Sequence, residues 1–365
     1  MEKFDGLAVS SKFGICGLPI RVDSYKTCSF GCKYCFANGR KVMEFEKTLQ
    51  VANVDSIEKR LHRIFIEKSV NQDNFLDCLI TNGITWHFGG MSDPFQPVNK
   101  RLHITNYIVD VCNKYNISIL FSTKSDTIHN ANVRPDLHAF QMSVSNIHNR
   151  KDIEPNVPDI EKRLTLFRKL KKEGFKVGIR IQPFIPDVSD LDIVRMFDGA
   201  DHYIIEGLKV IPQDGEQKDF CFGYLMQNPK HYTQMGLLNM LPQKRAALYA
   251  PFVDYFKTHN ISYSISDNDM RWMGNNYCCC GDMLVKKATG FDVTGMLMKY
   301  KHWRLQDVLH ECGNYRSCVA KDLFTSNRTD GCTTVEEFYK MRFGRSSSPM
   351  SPKYQYVPEK DLFGM

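Results

Sequence analysis

Strand-like and helix-like segments alternate along most of the chain. Short runs dominated by apolar residues predict strands, and stretches in which apolar residues recur every three or four positions predict helices. The predicted strands cover residues 18–24, 84–90, 117–125, 139–145, 175–184, 202–208 and 261–266. The predicted helices cover residues 53–70, 99–116, 158–174, 190–199 and 242–260. This alternation favours a parallel sheet with crossover helices.

The number of units fits a partial barrel. Six strand–helix units are too few for a closed eight-stranded barrel, so we predict an α/β fold, a partial (β/α)6 TIM-type barrel over residues 1–266. Residues 267–345 lose the alternation and predict a cysteine-rich C-terminal appendage, and the Ser/Pro-rich residues 346–365 predict an extended tail. Because the chemistry of such folds lies at the carboxyl ends of the strands, polar residues just after each strand are the candidates for function.

Composition adds only broad limits. The 365 residues are 42% hydrophobic and 24% charged, as in an ordinary soluble globular protein. No apolar run is long enough for a membrane span and the N-terminus has no continuous apolar region, so we expect a cytoplasmic protein with no membrane partner. The net charge of +7 permits a nucleic-acid partner without requiring one.

Cysteine placement is more informative. Thirteen cysteines are many for a reducing compartment, where metal binding or catalysis is favoured over disulfides. Cys28, Cys32 and Cys35 form a C-x3-C-x2-C motif in "CSFGCKYCF". Three thiolates can hold three irons of a 4Fe–4S cluster and leave the fourth iron open to a small molecule. A three-cysteine zinc site with a remote fourth ligand, or chance clustering, are the alternatives.

This motif resembles the signature of the radical S-adenosylmethionine (SAM) superfamily, including the aromatic Tyr34 before the last cysteine. Further segments follow in the order found in the spore photoproduct lyase-like branch, whose members are often labelled DNA repair photolyases. These segments are "FGGMSDPFQPVNK" (88–100), "STKSD" (122–126), "MSVSN" (142–146), residues 152–190 and "YIIEGL" (203–208). The resemblance covers roughly residues 15–270.

The resemblance implies a cofactor chemistry. Cys28, Cys32 and Cys35 would hold a 4Fe–4S cluster, with Tyr34 beside it, and the open iron would chelate the amino and carboxylate groups of SAM. One electron, from a donor such as flavodoxin or ferredoxin, would then cleave SAM to methionine and a 5′-deoxyadenosyl radical that abstracts hydrogen from a substrate.

The resemblance also implies SAM contacts at successive strand ends. The backbone of Gly89 and Gly90 would meet the methionyl amino group, where a side chain would block the approach. Ser92 and Lys124 would contact SAM, with Lys124 as a partner of its carboxylate.

Two further pairs are less sharply assigned. Ser143 or Ser145 would face the SAM ribose, and strand alternation does not choose between them. Arg180 and Gln182 share one face of a strand and are counted with the cofactor contacts. A charged residue inside a strand needs a partner, for which SAM, Glu154 or an ordinary salt bridge are candidates.

The resemblance implies the cofactor of this protein but not its substrate. Spore photoproduct lyase returns hydrogen to the repaired thymine from a cysteine thiol, and the position directly before Ser92 is here Met91. A thioether does not readily donate a hydrogen atom as a thiol does, which argues against thymine-dimer repair by that route.

The C-terminal cysteines form a second candidate metal site. A second iron–sulfur cluster would draw on Cys279, Cys280, Cys312, Cys318 and Cys332. A zinc site, free thiols, or one thiol acting as a hydrogen donor are the alternatives.

We therefore predict a radical SAM enzyme, lyase-like or modifying, that acts on a nucleic acid or nucleotide. Radical modification of a peptide or protein with an auxiliary cluster is the alternative. A non-enzymatic metal-containing nucleic-acid-binding protein is a weaker one, because it leaves Gly89, Gly90, Ser92 and Lys124 unexplained.

Overall fold

The structure is a computed structural model that describes residues 1–9, 17–37, 49–71, 74–235, 237–267, 269–276, 278, 280–288 and 333–334. The strands are β1 (Lys3–Phe4), β2 (Leu7–Val9), β3 (Ile20–Val22), β4 (Val51–Ala52), β5 (Trp86–Phe88), β6 (Ile119–Thr123), β7 (His138–Ser143), β8 (Lys176–Phe184), β9 (His202–Gly207), β10 (Lys209–Val210), β11 (Tyr232–Met235), β12 (Leu237–Met240) and β13 (Tyr263–Ile265). The α-helices are α1 (Val54–Phe65), α2 (Phe75–Thr81), α3 (Asn99–Leu102), α4 (Ile104–Lys114), α5 (Ile160–Lys172), α6 (Asp192–Met196), α7 (Gly215–Lys218) and α8 (Pro242–Thr258).

One large sheet organises the fold. Its strand order is β2-β3-β5-β6-β7-β8-β9-β13, in which β3 to β13 are parallel and β2 is antiparallel to β3. Each strand predicted from the sequence is present, and the mixed α/β class with a large parallel sheet is confirmed. Within the described part of the chain, β2 and β13 are the two edges and do not pair, so no closed ring is formed.

The convex face of the sheet carries the main core. Phe121, Phe140 and Ile179 point from successive strands into a cluster that includes Leu166 of α5 and Phe252 of α8. Phe121 and Phe140 stack with ring centroids 5.2 Å apart. Burying a large apolar side chain contributes about 1.5–3 kcal/mol, so this layer holds the helices against the sheet.

The face of the sheet opposite the helices, which we call the concave face, is covered at one end by residues 278 and 280–288. The amide of Gln141 donates to the Cys280 carbonyl at 3.0 Å, and the Thr85 N–H donates to the Lys287 carbonyl at 2.8 Å. A Cβ on Gly178 would lie 2.6 Å from a Leu284 methyl carbon. These residues of the predicted C-terminal appendage therefore pack against β7, β8 and the residue before β5.

Two of the predicted helices contain a possible break. The predicted helix 99–116 is interrupted, because His103 adopts a left-handed conformation with φ of 55° between α3 and α4. Helix α8, in contrast, continues past Pro251. No described helix is both long and apolar enough to cross a membrane.

A small subdomain between β9 and α8 was not predicted from the sequence. We call residues 208–235 and 237–241 the cap. It contains the antiparallel sheet β10-β12-β11, α7 and a π-helix over Asp219–Tyr224. Two buried hydrogen bonds hold its ends: the Arg245 guanidinium donates to the Met240 carbonyl at 2.8 Å, and the Gly207 N–H donates to Asp267 at 3.0 Å.

Candidate active site

The three-cysteine loop follows β3 and is held from two sides. The Gln96 side chain accepts from the Ser29 N–H at 2.7 Å and donates to the Thr27 carbonyl at 2.8 Å. On the other side, the Lys33 N–H donates to the Ile153 carbonyl at 3.0 Å. Gly31 lies inside the loop with φ of 65°, a conformation that glycine adopts without a steric penalty.

The loop lies across the carboxyl ends of distant strands. Cys28, Cys32 and Cys35 belong to an apolar cluster whose other members include Ile153, Ile185, Leu208, Val210 and Cys221. These residues follow β7, β8 and β9, or belong to the cap, although four strands separate β3 from β9 in the sheet. The curvature of the sheet therefore brings the thiols over the strand ends and beneath the cap.

Burial determines the protonation state of two of the thiols. Burial, assisted by the Asp93 carboxylate, raises the pKa of Cys28 to about 12. Burial raises the pKa of Cys32 well above its ordinary value, and Glu154 and the two neighbouring thiols act in the same direction. Without a bound cation these two side chains are neutral thiols at pH 7, and a bound metal would deprotonate them.

The donor set fits a cluster in its chemistry. In the described residues, no group of three or more His, Cys, Asp or Glu side chains converges as the ligands of one metal ion. In an iron–sulfur cluster each cysteine binds a different iron, and thiolate sulfur is the ligand that such irons take. Three sulfurs from one loop, surrounded by apolar side chains, match that requirement.

A buried polar group adjoins the loop at the ends of β6 and β7. The Lys124 ammonium lies 2.9 Å from the Glu154 carboxylate and 3.4 Å from the Ser145 hydroxyl. The Tyr34 hydroxyl donates to Glu154, and the Lys124 nitrogen lies 5.4 Å from the centre of the Tyr34 ring. Three residues predicted from separate segments, Tyr34, Lys124 and Ser145, therefore meet at one point.

Glu154 is the centre of this group. Burial raises its pKa, but the Lys124 ammonium and the Arg163 guanidinium outweigh burial and hold the pKa below its ordinary value. The Asn146 amide donates to the second carboxylate oxygen at 2.8 Å. Glu154 is therefore ionised at neutral pH and forms an ion pair with Lys124. From the sequence, Glu154 was expected as a structural or ribose-side contact or as a partner for Arg180, and neither Asn146 nor Arg163 was identified.

The glycine pair follows β5. Gly89 has φ of 97°, and a Cβ at this position would overlap the Ser122 carbonyl oxygen. A Cβ on Gly90 would lie 3.0 Å from Cδ of Arg21. Close packing of backbone against β6 and of Arg21 against the turn explains glycine at both positions.

Two buried aspartates shape the loop after the glycines. Asp23 accepts from the Met91 N–H at 2.9 Å, and burial raises its pKa to about 6. Asp93 accepts from the Thr123 hydroxyl at 2.8 Å and the Lys124 N–H at 2.6 Å, and burial likewise raises its pKa to about 6. Asp93 thereby sets the backbone from which Lys124 projects.

The remaining predicted contacts occupy different surroundings. The Ser92 hydroxyl donates to the Tyr25 carbonyl at 2.6 Å. Ser143 ends β7 and its carbonyl accepts from Arg163, whereas the Ser145 side chain is buried beside Tyr34 at 3.3 Å.

Arg180 and Gln182 lie lower on the concave face. Arg180 donates to Gln182 and, at 2.7 Å, to the Ser122 hydroxyl, rather than to Glu154.

The predicted second metal site is only partly covered by the structure. Cys280 is buried in the concave face, as is Cys278. Cys279, Cys312, Cys318 and Cys332 lie outside the described residues. A second cluster or zinc site at these cysteines remains a prediction.

Comparison with known proteins supports the fold. No protein-family model matches the chain. The uncharacterized protein MJ0683 of Methanocaldococcus jannaschii is 24% identical over 184 residues, which are 47% of this chain and 63% of that protein. The chain thus spans less than two thirds of the length of this curated relative.

Solved structures give a broader match. Spore photoproduct lyase complexed with dinucleoside spore photoproduct superposes with a TM-score of 0.51 at 13% identity, over 71% of this chain and 78% of that one. Streptococcus suis SuiB bound to S-adenosylmethionine has a TM-score of 0.43 at 11% identity, over 69% of this chain and 51% of that one. The chain therefore has the fold of spore photoproduct lyase, which confirms at the level of fold the resemblance drawn from its sequence.

Proposed function

We propose that this protein is a radical SAM enzyme that acts on a nucleic acid or nucleotide. The observation that carries the proposal is the contact of Tyr34, from inside the cysteine motif, with Ser145 and the Lys124–Glu154 pair. This contact joins the predicted cluster loop to the predicted SAM contacts in one buried site. The fold shared with spore photoproduct lyase and the net charge of +7 support the choice of substrate class.

When bound at Cys28, Cys32 and Cys35, a 4Fe–4S cluster supplies the electron that splits SAM into methionine and a 5′-deoxyadenosyl radical, which takes a hydrogen atom from the substrate. Flavodoxin or ferredoxin is the class of protein that would deliver this electron. The chain itself contributes three sulfurs from one loop, so one iron of four is left for SAM. The apolar side chains around the loop exclude water from the reacting groups.

Lys124 orients the amino-acid end of SAM in this proposal. An ammonium group has three N–H donors, and Glu154 and Ser145 take two of them within the described residues. The third is directed to the SAM carboxylate. The hydrogen bond to Glu154 limits the movement of the ammonium group, and the Tyr34 hydroxyl connects Glu154 to the cysteine loop.

Lys124→Met should weaken SAM binding by roughly 10- to 100-fold, because a hydrogen bond to a charged group is worth about 1.5–3 kcal/mol. Equilibrium dialysis of radiolabelled SAM against the reconstituted protein measures this. Lys124→Met alone leaves the buried Glu154 carboxylate without its partner cation. The double variant Lys124→Met/Glu154→Gln removes both charges of the pair and therefore leaves the net charge of the site unchanged. Lys114→Met is the matched control, because that ammonium pairs with Glu58 at 2.7 Å on exposed helices. Unchanged SAM affinity in both Lys124 variants would show that the lysine does not contact SAM.

Binding of SAM to the cluster has a direct spectroscopic test. The protein is reconstituted anaerobically with iron and sulfide and reduced, and its electron paramagnetic resonance spectrum is recorded with and without SAM. We expect the signal of the reduced cluster to change when SAM is added. An identical spectrum at saturating SAM, in protein with a full complement of iron, would refute the proposed site.

The substrate class is tested separately. Mobility shift of single-stranded DNA and RNA, compared with a peptide, should show nucleic-acid binding that weakens as salt is raised, because phosphate contacts release counterions. Binding of the peptide alone would favour the peptide-modifying alternative.

A further inference from the structure

Basic side chains converge on the concave face below Lys124. The His87 ring of β5 lies 2.8 Å from the Ser122 hydroxyl on β6, and the Arg180 guanidinium of β8 donates to the same hydroxyl at 2.7 Å. That hydroxyl donates in turn to the Gln141 side chain on β7 at 3.2 Å. Arg21 on β3 lies beside this group, as the register neighbour of His87. Ser122 precedes Lys124 by two residues, so this group lies about 6–7 Å deeper along β6.

This part of the concave face is open to solvent. The Arg21 side chain is 37% exposed, whereas Ile20 and Val22 beside it are fully buried against the helices. His87 and Arg180 are also partly exposed, each between strand neighbours that are buried, and Gln182 is partly exposed as well. A ligand can therefore reach the guanidinium groups from inside the curved sheet.

The electrostatics of the group are positive. Burial lowers the pKa of His87 to about 3, and the charges of Arg180 and Arg21 lower it further. The imidazole is therefore neutral and can donate or accept one hydrogen bond. The Asp23 carboxylate lies 3.1 Å from the Arg21 Nε and also accepts the Met91 and Ser92 N–H groups. It offsets part of the Arg21 charge, so Arg180 supplies most of the positive charge beside His87.

We propose that Arg21 and Arg180, with His87 between them, bind a backbone phosphodiester of the substrate. This inference rests on the proposed function, because it names the part of a nucleic acid that enters the cavity. A guanidinium matches a phosphate with two parallel hydrogen bonds, and a nucleic acid carries one such anion at each nucleotide step. The position below Lys124 separates this site from the predicted site of the SAM carboxylate.

The test compares two dinucleotides of the same shape. Thymidylyl-thymidine carries one negative phosphodiester, and its methylphosphonate analogue is neutral at phosphorus. Dissociation constants are measured by calorimetry on the reconstituted protein with SAM bound. We expect the wild type to bind the anionic dinucleotide roughly 10- to 100-fold more tightly than the neutral one. Equal affinities, or no binding of either at millimolar concentration, would overturn the proposal without any variant.

Variants then assign the preference to residues. Arg180→Gln should reduce the ratio of the affinities for the anionic and the neutral dinucleotide to nearly one. Arg21→Gln should reduce this ratio only in part, because the Arg21 charge is partly offset by Asp23. Arg168→Gln, on the exposed face of α5, is the control that should retain the full ratio. If Arg180→Gln weakens SAM binding as much as dinucleotide binding, Arg180 belongs to the cofactor and the proposal fails. Displacement of the dinucleotide by triglutamate at equal concentration would assign the site to carboxylates and would also overturn it.

The two proposals fail separately. Cleavage of SAM by the wild type in the absence of any nucleotide reports only on the cofactor site. A protein that cleaves SAM but binds both dinucleotides equally would retain the proposed cofactor chemistry and lose the phosphodiester site.

Discussion

Replacing Cys28, Cys32 and Cys35 together by alanine should remove about four irons per chain from the reconstituted protein. Most neighbours of these thiols in the apolar cluster, among them Phe30, Ile153 and Leu208, are hydrocarbon side chains that cannot bind iron, and Cys221 is the further thiol of that cluster. Iron and acid-labile sulfide assays, with the visible absorption of the cluster, measure the loss. Iron that persists at about four per chain in the variant would establish a second cluster on other cysteines.

Cys112→Ala is the matched control for this experiment. Cys112 is a fully buried thiol on α4, remote from the loop, and should leave the iron content unchanged. Truncating it removes a few packing contacts, so a modest loss of stability without loss of iron is the expected control result. Equal iron content in the wild type and in the triple variant would contradict the assignment of the cluster to the loop.

Gly89→Ala should lower the free energy of unfolding by about 3 kcal/mol or more. The new Cβ would overlap the Ser122 carbonyl oxygen and lie 2.9 Å from Cδ of Pro94. It would also have to be accommodated at a φ of 97°. Because β6 and the Asp93 loop meet here, relief of the clash would displace the backbone that carries Lys124. Urea unfolding of the apoprotein measures the change without interference from the cofactor.

Gly83→Ala separates steric overlap from backbone conformation. Gly83 also has a positive φ, of 69°, but a Cβ added there would have no atom within 4 Å. A left-handed alanine in open space should cost only about 1–2 kcal/mol. Equal destabilisation by the two substitutions would mean that the close approach to Ser122 does not matter.

Local patterns in the sequence predicted the frame of the molecule. Apolar runs of strand length, separated by amphipathic helices, identify the parallel strands, and the residues after them fall at one edge of the sheet. The strand-end pattern made Lys124 and Ser145 candidates, and the resemblance to radical SAM enzymes is what implied that they lie near the cysteine loop. The spacing of Cys28, Cys32 and Cys35 put three thiols on one short loop but left a zinc site or chance clustering open, and the resemblance to radical SAM enzymes is what implied a 4Fe–4S cluster.

Features that depend on curvature and on long-range pairing were not predictable in this way. The partnership of Glu154 with Lys124 and Tyr34 joins three loops, and nothing local to Glu154 indicates which cation it meets. Residues 278 and 280–288 lack strand or helix periodicity because they cover the concave face largely through loop and turn contacts, such as that of the Cys280 carbonyl with Gln141. The cap likewise derives its position from its contact with the cysteine loop, where Gln217 donates to the Tyr34 carbonyl at 2.7 Å.

The fate of SAM tests the account most directly. The reconstituted wild type is reduced anaerobically with dithionite, incubated with SAM, and analysed for 5′-deoxyadenosine and methionine by liquid chromatography with mass spectrometry. We expect the two products in equal amounts, and none above background from Cys32→Ala. Wild-type protein with a complete cluster and bound SAM that yields neither product would contradict the assignment of this chain as a radical SAM enzyme.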